Sequence, residues 1–470
     1  MTSTATRAPL ARISDDNIIL DTDSYKASHF LQYPQGTTRL FSYLESRGGK
    51  YPATRFFGLQ YLLKRYLTAR VTPDMVEEAR DVFEAHGEPF PYDGWMLIAR
   101  ELGGRLPLEI RAVPEGSVVP NHNALMTVTN TDARVPWIVG WFETMLMRVW
   151  YPTTVATQSY YLREIIREAL ERTADDAAAE LPFKLHDFGS RGVSSRESAG
   201  LGGLAHLTNF LGSDTVEALR VGRNYYGSAT AAFSIPAAEH STITSWGKEH
   251  EVDAYRNMVR QFGKPGGIYA VVSDSYDLKH AINEHWGTTL KDEILASGAT
   301  LVVRPDSGDP AAMVRMAVRA LAAKFGTTTN GKGYQVLNGV RVIQGDGINE
   351  DSIREILAAV IGDGFSASNV TFGMGGALLQ QVNRDTQKFA YKASAALVQG
   401  AYRPVYKDPV TDPGKRSKDG VLDLVREEGR YRTRQYQQFD PPYERSALRT
   451  VYRDGELLVD DTLDDIRARA

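Results

Sequence analysis

Short apolar runs recur from about residue 183, and each of them closes on aspartate or glycine. Helical stretches at 311–325 and 350–361 separate several of these runs. Apolar strands that alternate with helices are typical of a parallel sheet covered on both faces, and five such units favour a barrel or part of one. Functional groups of such barrels gather at the carboxyl ends of the strands, where the polar residues of this sequence fall. The five runs are 184–189, 269–274, 301–306, 342–346 and 370–373.

The regions before and after these runs have a different pattern. Alternating residues predict strands, and apolar residues spaced by three and four predict helices. The predicted strands are 39–45, 108–113 and 125–129, and the predicted helices are 57–67, 76–85 and 154–170. Strands and turns return after about residue 388. We therefore expect an α+β sheet domain made from 16–180 and 388–470, a (β/α) barrel-like catalytic domain at 181–387, and a disordered tail at 1–15.

The composition excludes several classes of function. The 470 residues carry 58 acidic and 54 basic side chains, a net charge of −4, so no overall field attracts nucleic acid or an anionic membrane. Cysteine is absent, which excludes disulfides, thiolate catalysis and cysteine-ligated metals and fits a cytoplasmic protein. The most apolar segment, 135–150, is interrupted by Glu143 and Arg148 and is short for a bilayer. We expect it to form a buried or interfacial helix.

A glycine-rich segment at 373–380 follows a predicted strand and opens a helix. Gly375 and Gly376 could present backbone N–H groups to an anion, and their position after a late barrel strand favours a phosphate site over a turn chosen for its geometry. Gly345 and Asp346 are less specific, because they could form a plain turn or present a carboxylate to sugar hydroxyls.

Residues 326–333 nearly match a Walker phosphate loop. The hydroxyl residue after the lysine is missing, and a helix precedes the segment where a strand is required, so we expect a surface loop. Histidine at metal-ligand spacing is also absent, since 249–251 lacks the second histidine of a zinc-binding helix.

The segment 304–310 places an arginine and two carboxylates at the end of a predicted strand. Arg304 suits a phosphate in a bidentate contact, and Asp306 suits hydroxyl groups or magnesium. On its own, the segment would more simply form an Arg–Asp pair that ties a loop. Asp274, at the end of another run, has the same ambiguity.

Residues 234–242 place one imidazole among small residues, beside a carboxylate and two hydroxyl groups. Histidine changes charge near neutral pH, so His240 could act as a base, a nucleophile or a ligand, and Glu239 could orient it. Taken alone, however, most histidines beside an acid make ordinary structural hydrogen bonds.

Together these segments resemble the nicotinamide phosphoribosyltransferases, a family of type II phosphoribosyltransferases, over nearly the whole chain. The motifs that carry the resemblance are 22–26, 57–61, 186–195, 212–215, 236–244, 304–308, 344–347 and 407–409. The resemblance implies an α/β fold, an irregular (β/α) barrel with a second α+β sheet domain formed from both chain ends. It also implies a homodimer whose active sites are shared across the interface.

The reaction implied by the resemblance joins nicotinamide to phosphoribosyl pyrophosphate. The products are nicotinamide mononucleotide and pyrophosphate, in NAD salvage, with Mg²⁺ as cofactor. Phe188 of one subunit and Tyr25 of the partner subunit would enclose the pyridine ring between them. Asp214 would accept a hydrogen bond from the carboxamide. The same carboxylate would repel nicotinate.

The resemblance assigns further residues by the part of the substrate they would contact. The residues that would hold phosphates are Arg191, Arg304, Arg384, Lys392, Lys407 and Lys415. The other substrate contacts would be Asp306 and Asp346 at the ribose, Gly375 and Gly376 at the 5′-phosphate, and in addition Gly345 and Asp23.

His240 gains a defined role from the same resemblance. In the family the matching histidine is phosphorylated by ATP, a co-substrate whose hydrolysis drives product formation and tightens substrate binding. Glu239 and Asp274 would lie near His240, and Asp274 would be the Mg²⁺ ligand. With Asp306, these residues would form the catalytic set.

Two positions depart from the better-known animal enzymes of the family, since Ser190 and Met374 replace a tyrosine and a serine in otherwise shared motifs. Two other functions remain open. The first is nicotinate phosphoribosyl transfer on the same scaffold, against which Asp214 argues. The second is a non-catalytic ligand-binding protein, which would not need His240, Asp214, Phe188 and Arg304 together. An aldolase would need a Schiff-base lysine on a barrel strand, and the sequence offers none convincingly.

Overall fold

The protein is described from a computed structural model that covers residues 12–411 and 416–469. Its contacts divide the chain into two compact units. The first contains the residues up to Trp150 together with Gln387–Asp461, and the second contains Tyr151–Thr386 together with the residues from Thr462. Both units are therefore built from two separate parts of the chain.

Strands and helices are numbered here in chain order. The strands are β1 Thr37–Ser46, β2 Ala53–Arg55, β3 Leu108–Ala112, β4 Val118–Pro120, β5 Ala124–Asn130, β6 Leu185–Asp187, β7 Gly212–Ser213, β8 Ile268–Val272, β9 Thr300–Arg304, β10 Thr327–Thr329, β11 Gln335–Leu337, β12 Val340–Gln344, β13 Val370–Met374, β14 Phe389–Val398, β15 Ala401–Pro404, β16 Val421–Glu427, β17 Arg430–Tyr436, β18 Arg449–Arg453 and β19 Glu456–Leu457. The α-helices are α1 Leu59–Leu62, α2 Pro73–His86, α3 Tyr92–Arg100, α4 Ile138–Trp141, α5 Glu143–Met147, α6 Trp150–Thr173, α7 Ala177–Glu180, α8 Arg196–His206, α9 Val216–Tyr226, α10 His240–Thr244, α11 Glu251–Phe262, α12 Leu278–His280, α13 Lys291–Ser297, α14 Pro310–Phe325, α15 Glu350–Gly362, α16 Gly376–Leu379 and α17 Leu463–Arg467. Two π-helices, Leu63–Leu67 and Ala281–Thr289, and several 3-10 turns complete the secondary structure.

The first unit is organised around a seven-stranded antiparallel sheet in the order β15-β14-β1-β5-β3-β18-β19. Strands from both chain ends share this sheet, as β14 pairs with β1 and β18 pairs with β3. The predicted second sheet domain formed from both chain ends is therefore confirmed.

The second unit is organised around a six-stranded parallel sheet in the order β7-β6-β13-β12-β9-β8. One segment, 233–238, bonds to both edges of this sheet. At one edge Ser213 N donates to Phe233 O over 3.1 Å, and at the other Ala238 N donates to Ala270 O over 2.9 Å. The sheet and this bridging segment form the irregular barrel that the alternation of strands and helices predicts.

Local sequence explains why helices follow the strands of the barrel. Asp309 caps α14, since its side chain accepts a hydrogen bond from Ala312 N over 2.8 Å and Pro310 occupies the first helical turn. Asn349 caps α15 in the same way and exchanges hydrogen bonds with Ser352. Such caps satisfy N–H groups that have no partner inside the helix, so each helix begins shortly after its strand ends.

The observed division of the chain differs from the expected domains at two places. Residues 151–180 and those from 462 onward were expected in the sheet domain, whereas both belong to the barrel unit. Side-chain contacts explain the difference. Asn209 donates to Ala156 O in α6 over 3.0 Å, and Arg467 in α17 donates to Leu207 O over 2.9 Å.

Two local expectations were wrong in detail. The apolar segment 135–150 was expected to form one helix, but α4 and α5 are separate because the backbone of Phe142 is not helical (φ −86°, ψ 5°). The expected surface loop at 326–333 contains β10, which pairs with β11 in a short hairpin. Among the described residues, no helix combines the length and apolar character needed to cross a membrane.

Candidate active site

The loops after four neighbouring strands of the barrel, β6, β13, β12 and β9, line one open cavity of about 980 Å³. The carboxyl ends of parallel strands meet at one edge of the sheet, so residues distant in sequence become neighbours here. The lining residues that were predicted from the sequence are Phe188, Arg191, Asp214, Glu239, Arg304, Asp306, Gly345, Asp346, Gly375 and Gly376.

A second cavity of about 310 Å³ lies inside the barrel and is mainly apolar. Its walls include Ala270, Val302 and Ile343, which form a buried cluster on strands β8, β9 and β12. Both cavities are bordered by Phe188 and Asp214, so these two residues stand where the open cavity meets the interior of the barrel.

The ring of Phe188 forms an aromatic wall at this junction. It packs against the buried interior cluster, and its backbone N–H donates to Met374 O over 2.9 Å. Glycine is required opposite the ring, because a Cβ atom at Gly373 would lie 2.0 Å from Phe188 Cε2. A flat aromatic face next to an apolar cavity suits a planar heterocycle.

Asp214 is held on one side only. Its Oδ1 is 2.9 Å from His186 Nε2 and accepts a second hydrogen bond from Ser234 Oγ. Burial raises the pKa of Asp214, but the contacts with His186 and Ser234 and the charge of Arg304 outweigh that effect, so the net shift is below the ordinary value. The group is therefore an ionised acceptor at neutral pH.

His240 begins helix α10 and contacts two carboxylates. Its Nε2 is 3.0 Å from Asp274 Oδ1, and its Nδ1 is 3.9 Å from Asp306 Oδ2. The side chain of His240 is 46% exposed, whereas that of Asp274 is 5% exposed. A buried carboxylate at Nε2 places the proton on that nitrogen and leaves the Nδ1 lone pair available.

Asp274 is anchored by more than the histidine. Its Oδ2 accepts hydrogen bonds from Asp306 N over 3.0 Å and from Ser307 Oγ over 2.5 Å. Burial raises the pKa of Asp274, but the hydrogen bonds from Ser307, His240 and Asp306 N lower it below its ordinary value overall. Asp274 is thus suited to orient His240.

Glu239 lies next to the histidine in sequence and borders the open cavity. Its carboxylate accepts a hydrogen bond from Ser241 Oγ, and its backbone carbonyl accepts from Thr242 N over 3.1 Å. The start of α10 therefore holds Glu239 at the cavity, with His240 next to it as the first residue of the helix.

Two arginines give the cavity its positive charge. Arg304 Nη2 lies 3.4 Å from Asp306 Oδ2, while Arg304 Nε is buried and has no hydrogen-bond partner among the described residues. Arg191 is exposed and has no ion pair within 12–411 or 416–469. A buried guanidinium nitrogen without a partner is costly unless a ligand satisfies it, which suits an anionic substrate.

The glycine-rich loop after β13 borders the same cavity. Gly375 precedes helix α16, and Gly376 is its first residue, so the first N–H groups of the helix have no partner inside it. A Cβ atom at Gly192 would lie 3.4 Å from Gly376 Cα, which shows how closely this loop approaches the loop after β6. The short helix and its bare backbone can accommodate a phosphate oxygen.

Seven described residues predicted for the site do not line this cavity. Two of them, His240 and Asp274, contact Asp306, which does line it. Arg384 belongs to the barrel unit but pairs with Asp385 at 3.6 Å. Four others belong to the sheet unit, namely Asp23, Tyr25, Lys392 and Lys407. Lys415 lies outside the described residues.

The roles of these residues therefore stay predictions. Within the sheet unit, the side chain of Asp23 accepts a hydrogen bond from Thr144 Oγ1 over 2.5 Å, and Tyr25 is 56% exposed.

Three residues that contact carboxylates of the site were not predicted from the sequence. His186, Ser234 and Ser307 all fall inside segments that the sequence singles out, but each touches a carboxylate that is distant in sequence. A polar residue at or just after the end of a barrel strand is the one signal that could have drawn attention to them.

The surroundings of Asp274 bear on the predicted Mg²⁺ site. The described part of the chain contains no group of three or more His, Asp or Glu side chains that could hold a metal ion. Both oxygens of Asp274 are already engaged by protein groups. An ionised carboxylate has about four acceptor sites, and three protein groups already use those of Asp274, so the role of Asp274 as a magnesium ligand stays a prediction.

Comparison with known proteins agrees with this geometry. The model of the nicotinate phosphoribosyltransferase family matches residues 183–456, and that of the nicotinamide phosphoribosyltransferase N-terminal domain matches residues 17–110. A nicotinamide phosphoribosyltransferase from Xanthomonas campestris is 58% identical, covering 97% of this chain and 98% of the relative. One from Acinetobacter baylyi is 32% identical, covering 95% of each.

Two solved structures share the fold at low sequence identity. A nicotinate-nucleotide pyrophosphorylase from Pyrococcus furiosus has a TM-score of 0.60 at 15% identity, covering 98% of this chain and 96% of its own. Human nicotinic acid phosphoribosyltransferase has a TM-score of 0.57 at 19% identity, covering 96% and 92%. The chain therefore belongs to the nicotinate phosphoribosyltransferase family, alongside the relatives named nicotinamide phosphoribosyltransferase.

Proposed function

We propose that this protein transfers the phosphoribosyl group of phosphoribosyl pyrophosphate to nicotinamide, giving nicotinamide mononucleotide and pyrophosphate in NAD salvage. The observation that carries the proposal is the ionised carboxylate of Asp214 beside the aromatic wall of Phe188. The printed names of the bacterial relatives support the same substrate. An anionic acceptor at the junction of the two cavities favours an amide N–H donor over a second carboxylate.

The nicotinamide ring lies against Phe188, and its carboxamide N–H donates to Asp214. The remaining face of the ring is covered by Tyr25 of a second copy of the chain, in a homodimer with shared sites. Asp23 and the cationic side chains of the sheet unit belong to this proposed shared site. These cations are Lys392, Lys407 and Lys415, and Arg384 of the barrel unit joins them.

The phosphoribosyl donor occupies the open cavity. Arg191 and Arg304 bind its phosphate oxygens, and Gly375 and Gly376 receive the 5′-phosphate. As the bond from the anomeric carbon to pyrophosphate breaks, the pyridine nitrogen forms a bond to that carbon. Asp306 and Asp346 stabilise the positive charge that develops on the ribose.

ATP acts in this proposal by phosphorylating His240. The Nδ1 lone pair attacks the γ-phosphorus, an N–P bond forms, and the bond from that phosphorus to the bridging oxygen breaks and releases ADP. Asp274 holds the proton on Nε2 throughout and balances the charge of the ring. Water later attacks the phosphorus, the N–P bond breaks, and inorganic phosphate leaves, which restores the histidine and couples ATP hydrolysis to product formation.

Magnesium accompanies the pyrophosphate group of the donor in this proposal. Phosphate oxygens and water supply most of the ligands that Mg²⁺ prefers, so a ready-made protein site is not required. No step above depends on the metal.

A paired assay tests the proposal. Phosphoribosyl pyrophosphate and Mg²⁺ are offered with nicotinamide or with nicotinate, each with and without ATP, and the mononucleotide is identified. We expect the amide product, stimulated by ATP. The acid product would support nicotinate phosphoribosyl transfer instead, and no product in any condition would favour a non-catalytic ligand-binding protein.

A further inference from the structure

Two side chains, His186 and Ser234, hold the same oxygen of Asp214. The imidazole Nε2 lies 2.9 Å from Oδ1, and the serine hydroxyl donates to that same atom. No hydrogen bond to Oδ2 occurs within the described ranges. The two carboxylate oxygens therefore differ, one satisfied by the protein and one free for a ligand.

The barrel brings these three residues together from three neighbouring elements. His186 lies in β6 opposite Gly212 of β7, Asp214 follows β7, and Ser234 belongs to the segment that bridges the sheet edges. The register depends on glycine, because a Cβ atom at Gly212 would lie 2.6 Å from His186 Nδ1.

The positions of the cavities indicate which side of Asp214 the substrate approaches. Asp214 borders both cavities, whereas His186 and Ser234 border only the inner one. The two donors therefore reach Asp214 from the barrel interior. Asp214 itself also borders the open cavity, which carries the proposed phosphate-binding groups.

The pairing is suited to recognition. The side chain of Asp214 is 47% exposed and that of His186 is 14% exposed, so water competes for a carboxylate that is only partly buried. Without donors on Oδ1, the carboxylate could rotate or accept a proton, and either change would weaken its discrimination between an amide and an acid.

We propose that His186 and Ser234 are specificity-determining positioning residues, which orient Asp214 so that its free oxygen accepts the nicotinamide N–H and repels nicotinate. This inference rests on the proposed function. It predicts that amide selectivity depends on His186 and Ser234 as well as on Asp214.

The test measures kcat/KM for nicotinamide and for nicotinate in the wild type and in four variants. His186→Phe keeps a ring but removes the donor, His186→Gln keeps a donor, and Ser234→Ala removes the second donor at an exposed position. We expect the ratio of the two kcat/KM values to fall about tenfold in His186→Phe and in Ser234→Ala, mainly through the nicotinamide KM. His186→Gln should recover part of the ratio.

The fourth variant, His250→Phe, is the matched control. It removes a His–Asp contact of 3.1 Å on the surface, with Asp253, and should leave the ratio unchanged. An unchanged ratio in Ser234→Ala and in a folded His186→Phe protein would overturn the inference. A wild type that prefers nicotinate would instead overturn the proposed function, so the two failures are distinguishable.

Discussion

At the scale of single residues, the chemistry of the site depends on which atom each partner occupies. Asp274 contacts Nε2 of His240, which leaves Nδ1 as the atom that we propose to be phosphorylated. His186 and Ser234 occupy one oxygen of Asp214, and this choice leaves the other as the acceptor. In both cases a carboxylate and its partners are distant in sequence, so the chain alone names the residues but not the reacting atoms.

Replacing His240 separates ATP coupling from phosphoribosyl transfer. We expect His240→Ala to lose ATP-stimulated turnover while a slower basal synthesis persists, because the phosphate and ring contacts lie on other residues. The measurement is the rate of mononucleotide formation with and without ATP, together with acid-labile protein phosphate. Equal ATP stimulation in the variant and the wild type would contradict the phosphohistidine role.

His206 should make stability dependent on pH. Its Nε2–H donates to Leu185 O over 3.1 Å, its Nδ1 accepts from Ser159 Oγ over 2.9 Å, and burial lowers its pKa to about 4. Between pH ~6.5, the ordinary histidine pKa, and about 4, the pKa in the folded protein, His206 takes up a proton only in the unfolded chain. The free energy of unfolding therefore falls as the pH falls over this range, by about 1 kcal/mol per pH unit.

Urea unfolding at pH 7 and pH 5 checks this prediction. His206→Gln can keep both hydrogen bonds and does not titrate, so its free energy of unfolding should decline less over the same interval. Parallel declines in the two proteins would show that other groups cause the pH dependence.

At the scale of elements, the packing of β6 against β13 sets the aromatic wall. These strands are adjacent and parallel, and their register places Gly373 of β13 opposite His186 of β6. Phe188 follows His186 by two positions. The ring of Phe188 then lies directly over Gly373, where it leaves no room for a side chain. The bare backbone of one strand thus fixes the position of an aromatic side chain that follows the other.

Adding a methyl group to Gly373 should move that wall. The new Cβ atom would lie 2.0 Å from Phe188 Cε2, so Gly373→Ala must displace the ring. We expect the KM for nicotinamide to rise about tenfold, since small displacements of a binding group are costly. The free energy of unfolding should fall by about 1–3 kcal/mol.

Gly362→Ala provides the control for this change. Its Cβ atom would meet nothing within 4 Å, at the end of helix α15. Steady-state kinetics and thermal unfolding of both variants separate ring displacement from a general effect of adding a methyl group. A normal nicotinamide KM in Gly373→Ala would show that the ring position is not critical for binding.

At the scale of the whole molecule, each unit gathers strands or helices from separate parts of the chain. The sheet unit combines β1–β5 with β14–β19, and the barrel unit takes α17 from the end of the sequence. The candidate site residues fall in both units, and the exposed ring of Tyr25 is the sheet-unit residue predicted to serve a second copy.

Mixing inactive chains tests whether the sites are shared. Tyr25→Ala and Asp214→Ala chains, each weak alone, should regain activity after unfolding and refolding together, because one site of each mixed dimer is then intact. A mixture of Phe188→Ala and Asp214→Ala chains should not recover, since both residues come from the same chain. Recovery in neither mixture would indicate sites built within one chain.

The sequence by itself determined the order of the elements and the kinds of residues at the strand ends. Apolar periodicity predicted β6, β8, β9, β12 and β13, since burial on both faces demands continuous apolar runs. Strand-end motifs named Arg304, Asp306, Gly345, Asp346, Gly375 and Gly376 of the open cavity, because functional groups of such barrels gather there. The family resemblance assigned Phe188, Arg191 and Asp214.

Only the tertiary structure decided which residues meet. The contact of Asp214 with His186 and Ser234 joins residues up to 28 positions apart, and the contact of Asp274 with Ser307 spans 33 positions. The transfer of 151–180 to the barrel unit also follows from long-range packing. Local patterns report burial and backbone geometry, whereas pairing across a sheet depends on register, which no short segment contains.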